Sequence, residues 1–109
     1  MIELPFPPRE LSPNARPHWA VKAREAKTYK TMCMLVLLRH RKELAGRKSF
    51  SLTFRPPSAR RADLDNMLAA FKYGLDGLSK VCGVDDSEFE IKIRKGRPIK
   101  GGQVVVECA

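Results

Sequence analysis

Apolar and polar positions along the chain fall into two periods. Ile2-Glu3-Leu4-Pro5-Phe6 alternates and then meets Pro7-Pro8, which predicts a short strand. Residues 7–19 combine prolines with Asn14, Arg16, His18 and Trp19, a pattern of structured loop with a polar, basic rim. From Ala20 to Ala45 there is neither Gly nor Pro, and Tyr29, Cys33, Val36, His40 and Leu44 recur at helical spacing. One long helix is expected there, stopped by Gly46. Ser49 to Phe54 alternates again, as a strand ended by Pro56-Pro57. A second helix is expected from Leu64 to Ser79, with Leu64, Leu68, Phe71, Leu75 and Leu78 on one face and Gly74 and Gly77 weakening its end. Gly83 to Ser87 reads as a turn, Phe89 to Arg94 as a strand covered on one face, and Gln103 to Cys108 as a closing strand. The expected fold is α+β: a small mixed β-sheet packed with two main helices, in the order β-α-β-α-β-β.

Length changes this picture little. A chain of 109 residues is expected to form one domain, residues 1–109, with a core that needs no disulfide or structural metal. The three cysteines, Cys33, Cys82 and Cys108, are far apart and lack a CxxC, so they read as small buried hydrophobes. The longest apolar run, Met32 to Leu38, has 7 residues, against roughly 20 for a membrane span. No membrane partner is expected. The opening residues lack a basic and an apolar region of signal-peptide type, and a cytoplasmic protein is the expectation.

Charge changes the picture more. Lys and Arg number 21 and Asp and Glu 12, a net charge of +9. Basic domains of this size commonly meet nucleic acid, because phosphates release counterions to Lys and Arg. The charge is also segregated. Residues 1–62 hold 14 basic and 4 acidic side chains, whereas residues 63–90 hold 2 basic and 7 acidic ones. An acidic block in a phosphate-seeking chain opposes binding unless a divalent cation offsets it.

The block begins at Asp63-Leu64-Asp65-Asn66, where a strand and loop give way to the second helix. In a regular helix Asp63 and Asp65 would point about 200° apart. They converge only if Asp63 precedes the first turn. Asp85-Asp86, in the turn before the third strand, offers a third carboxylate. Three convergent carboxylates suit Mg²⁺ or Mn²⁺. Each piece also has an ordinary reading: an aspartate here suits a helix N-cap, and Asp85-Asp86 suits a turn. Arg60 and Arg61 beside the acids favour a phosphate backbone. Lys72, seven residues after Asp65, falls on the same helical face and suits charge developing on a phosphate. His18 is a candidate for a sugar or phosphate contact, while His40 reads as a packed histidine.

Four stretches in order resemble the RusA endodeoxyribonucleases, small Holliday junction resolvases of phages and prophages. They are Leu4-Pro5-Phe6-Pro7-Pro8, Arg60-Arg61-Ala62-Asp63-Leu64-Asp65-Asn66, Val84-Asp85-Asp86-Ser87, and Lys100-Gly101-Gly102 before a Val-rich strand. The resemblance spans nearly the whole chain. It implies a homodimer that binds a four-way DNA junction and cuts two opposing strands with Mg²⁺ or Mn²⁺. By motif position Asp63, Asp65 and Asp86 match the family's aspartates, with Asp85 a less favoured substitute for the third. The family lysine falls on Ala69 here, and Lys72, one turn on, is the candidate replacement. Arg60, Arg61, Asn66, Lys100, Arg16 and His18 are the expected DNA contacts. Two alternatives stand beside this reading: a non-catalytic basic nucleic-acid-binding module, and a nuclease acting on other branched DNA.

Overall fold

Strand β2, Ser49–Arg55, alternates strictly: Phe50, Leu52 and Phe54 are fully buried and the residues between them are not. It is one of two inner strands of a four-stranded sheet, in a computed structural model that describes residues 1–109. Strand β1, Ile2–Pro5, runs antiparallel to β4, Gln103–Cys108, which runs antiparallel to β2. Strand β3, Glu90–Lys95, lies parallel to β2. A parallel neighbour needs a long crossover, and the helices between β2 and β3 supply it. The sheet is therefore mixed and the fold α+β, as expected. Register sets the rows of the core. Ile2, Val106, Leu52 and Ile93 form one row across the four strands, and Leu4, Val104, Phe54 and Lys95 the next.

Helix α1, Trp19–Leu38, buries Ala26, Tyr29, Cys33 and Leu37 on the sheet. The Tyr29 hydroxyl donates to the Pro5 carbonyl oxygen at 2.7 Å, which ties the helix to β1. The expected single helix to Ala45 is interrupted. Chain conformation leaves the helix at His40 (φ −111°, ψ 17°), and Arg41–Leu44 form a separate turn, α2. His40 is not a packed core residue: its Nδ1 pairs with the Glu43 carboxylate at the half-exposed start of α2. Leu44 is thereby swung into the core, where it is fully buried.

The second expected helix is likewise two. Helix α3, Leu64–Ala70, ends at Phe71 (φ −83°, ψ 3°), and α4 runs from Lys72 to Cys82, beyond the expected end at Ser79. Phe71 is fully buried and meets Phe54 and Tyr29 edge-on, at ring-centre distances of 5.7 and 6.4 Å. Gly74 and Gly77 do not end α4; they let it pack closely. A Cβ at Gly77 would lie 3.0 Å from Met34 Cγ of α1, and one at Gly74 would lie 2.3 Å from the Phe71 ring. Gly83, at φ 70°, provides the left-handed stop, its N–H bonding the Ser79 carbonyl at 2.9 Å. No helix is long and apolar enough to cross a membrane. Cys33 and Cys82 are buried and unpaired, and Cys108 is exposed.

Candidate nucleic-acid interface

Two loops and a helix start meet where β2 and β1 end. Phe6-Pro7-Pro8 and Arg9 leave β1, Pro56-Pro57-Ser58 and Arg60-Arg61 leave β2, and the start of α3 closes the third side. Together they form a cleft of about 380 Å³. Its polar lining is Arg9, Ser12, Asn14, Ser58, Arg60, Arg61, Asp63 and Asn66, and its floor includes Met67 and Ala70. Three arginines and one aspartate thus line it, of which Arg61 touches Asp63. The loop 97–102 buttresses the Phe6 and Pro57 wall. Gly102 sits at φ 72°, and a Cβ there would come within 2.7 Å of Phe6 and 3.2 Å of Pro57. Backbone bonds from Ile99 N–H to Pro56 and from Gly102 N–H to Ile99 hold that loop in place.

Asp63 occupies the N-cap position of α3 with an extended backbone (φ −79°, ψ 133°), so it does precede the first turn. Of the two carboxylates, Asp63 lines the cleft and Asp65 does not. The Asp63 carboxylate does not cap the helix: it makes no capping bond, and instead accepts from Arg61 Nε at 3.3 Å. Its Oδ1 is thus engaged by Arg61, and no cap bond engages the other oxygen. Asp65 lies in the first turn of α3 and is exposed.

Asp85 and Asp86 form a separate acidic turn. Asp85 Oδ1 accepts the Ser87 N–H at 3.2 Å and holds its carboxyl below the usual carboxylate range. Asp86 is pushed the other way, first by its hydrogen bond with Asp85, then by desolvation and by the charges of Asp85 and Asp76. No three His, Cys, Asp or Glu side chains stand together in a group that could hold a metal ion. The expected convergence of Asp63, Asp65 and Asp86 into one three-carboxylate cage is therefore not built. Asp63, Asp65, Asp85 and Asp86 are each exposed.

The remaining expected residues divide. Arg60, Arg61 and Asn66 line the cleft; Arg16, Lys100 and Lys72 do not, and all three are exposed. The argument that Lys72 shares a face with Asp65 assumed a continuous helix, and the break at Phe71 removes that premise. Ala69 is exposed on α3. His18 is the N-cap of α1, its Nδ1 accepting the Ala20 N–H at 3.1 Å.

Two basic residues went unnoticed in the sequence. Arg9 lines the cleft from the first loop. Lys95 ends the row Leu4, Val104, Phe54, on the helix-facing side of the sheet, and its Nζ donates to the Ala62 carbonyl oxygen at 3.1 Å. An ammonium is thus anchored next to Asp63. The signal was present in the alternation Ile91, Ile93, Lys95, since residues two apart on a strand share a face.

No family model matches the chain. It is similar to an uncharacterized protein of Xylella fastidiosa (strain Temecula1 / ATCC 700964), with 34% identity over 93 residues, covering 81% of this chain and 61% of that protein. The chain spans about three-fifths of the length of that relative.

Proposed function

We propose that this chain is a structure-specific DNA endonuclease of the RusA resolvase type, acting in the cytoplasm on four-way junctions as a homodimer with Mg²⁺ or Mn²⁺. The observation that carries the reading is Asp63: a carboxylate at a capping position that does not cap, set among Arg9, Arg60, Arg61 and Asn66. Arginines recognise a phosphodiester by paired hydrogen bonds. A lone carboxylate among them repels that phosphate unless it has work to do there. Asp63 and Asp65 are the residues that would hold the ion, which when bound supplies Lewis-acid polarisation of the phosphodiester and a more acidic water. Asp86 matches the third family aspartate by motif and stands in the acidic turn with Asp85. Arg9, Arg60 and Arg61 bind and orient the strand. Lys95 Nζ uses one of its three donors on Ala62, leaving two for a phosphate oxygen. It takes the charge-balancing role expected of Lys72. Junction geometry rather than base identity would select the substrate, because these contacts are to phosphates. A two-fold dimer supplies two equivalent sites for paired cuts.

A second reading is supported by the missing three-carboxylate group: a basic module that binds branched DNA without cutting it. One assay separates the two. A labelled four-way junction is incubated with the protein and Mg²⁺, Mn²⁺ or chelator, beside linear duplex and a flap. Paired, metal-dependent nicks on the junction, reduced to the detection limit by Asp65→Asn with junction binding retained, are the expected result. Binding without scission under any metal would establish the module instead. Preferential cutting of the flap would assign another branched substrate.

A further inference from the structure

Trp19 is the chain's single tryptophan, and its side chain stands 76% exposed at the first position of α1. Indole is among the more buried side chains on average, so one left almost wholly in water invites an explanation. Nothing in its own helix needs it: the buried face of α1 begins at Ala26. Its ring stands 5.5 Å from that of His18, tilted by 32°. His18 is itself fixed, because its Nδ1 accepts the Ala20 N–H. The neutral imidazole then carries its proton on Nε2, a donor that the fold does not use. The two rings thus form a short aromatic shelf with one polar edge.

A hollow lies at the start of α1, its lining including one guanidinium, Arg9, one carboxylate, Glu10, and the polar Ser12, Asn14 and His18. Arg9, Ser12 and Asn14 also line the Asp63 cleft, so the two depressions are continuous along one loop. That loop is braced by bonds from Leu11 N–H to Pro8, Ser12 N–H to Arg9 and Ala15 N–H to Ser12. A depression that carries the Arg9 guanidinium and reaches His18, with the exposed indole of Trp19 beside that imidazole, matches a nucleic-acid strand, whose charged backbone and flat bases alternate, better than it matches an apolar protein partner.

We propose that Trp19, with His18 beside it, is a stacking subsite for an unpaired nucleobase of the DNA strand that runs along the Arg9–Asn14 track from the Asp63 cleft. This rests on the DNA-binding reading above and adds where an unstacked base at the branch is received. Stacking is indifferent to base identity, since every base presents a π-face, so the subsite would favour unpaired DNA without a sequence preference.

The test uses the fluorescence of Trp19, which no other tryptophan obscures, in the full chain. A four-way junction, a single-stranded oligonucleotide and a blunt duplex are titrated in, with binding followed separately by anisotropy of labelled DNA. The expected result is quenching of Trp19 by the junction and the single strand, and little by the duplex at equal occupancy. Trp19→Ala should weaken junction and single-strand binding by about 10-fold and leave duplex binding unchanged, and Trp19→Phe should restore most of the loss. The unfolding midpoint should not move in either variant. DNA that binds by anisotropy without altering Trp19 fluorescence, or Trp19→Ala that binds like the parent, overturns the stacking subsite and spares the DNA-binding reading. Failure of every DNA to bind overturns both.

Discussion

Gly74 sits in the third position of α4, where alanine would ordinarily be the better residue by about 1 kcal/mol. The structure reverses the sign for Gly74→Ala. The new methyl would lie 2.3 Å from Phe71 Cε1 and 2.7 Å from Cδ1 and Cζ. Carbon atoms rest at about 3.5–4.0 Å, so the ring must retreat by more than an ångström. It has nowhere to go: Phe71 is fully buried, with Phe54 and Tyr29 packed edge-on against it. Overpacking of a filled core costs about 1–3 kcal/mol. The closeness of the contact puts this case at the upper end, and subtracting the propensity gain leaves a net loss of about 1–2 kcal/mol. In urea the midpoint should fall by roughly 0.5–1 M with an unchanged slope. Combining Gly74→Ala with Phe71→Leu should recover part of the loss, so that the two changes together cost less than their sum. A raised midpoint for Gly74→Ala would show that the Phe71 ring yields freely and that α4 obeys helix propensity alone. Additive effects in the double variant would refute the contact as the cause.

Three further predictions concern charge, protonation and thiol exposure. Lys95→Ala should lower the slope of log K for DNA against log salt by about 1 and slow junction nicking, with Lys95→Arg retaining the slope; an unaltered slope would remove Lys95 from the phosphate contacts. Burial pushes the Cys33 and Cys82 thiols up to about 11 from an ordinary 9.0. The folded state holds these protons more tightly than the unfolded chain, so their contribution is complete below pH 9 and is lost as pH rises toward 11. Unfolding midpoints measured across that range should fall, and a thiol reagent at pH 8 should modify exposed Cys108 well before the other two; equal rates for all three would contradict the packing around Cys33.

The strands were legible because alternation is local: Phe50, Leu52 and Phe54 announce a covered face without reference to any partner. Both helical segments were legible for the same reason, but not their interruptions. Neither His40 nor Phe71 is itself a helix breaker, and no Pro lies near either. The chain turns there because Leu44 and Phe71 are drawn into a core whose other walls lie far away in sequence. Gly74 and Gly77 were misread as weak points, since only the approach of Phe71 and α1 gives a missing Cβ its value.

The candidate site divides along the same line. Composition and the run from Arg60 to Asn66 by themselves determined that an acidic pair lies beside arginines at the start of a helix, because those residues are neighbours in the chain. Tertiary structure alone decided that Asp63 leaves its helix uncapped, that Asp86 stands with Asp85 and near Asp76 instead of completing a cage, that Arg9 lines the cleft from the loop after β1, and that Lys95 of β3 reaches the Ala62 carbonyl oxygen. Periodicity reports which face a residue is on. Which distant residues share that face depends on the register of four strands and the crossover between two of them, and the separation of these groups in sequence leaves no local trace of it.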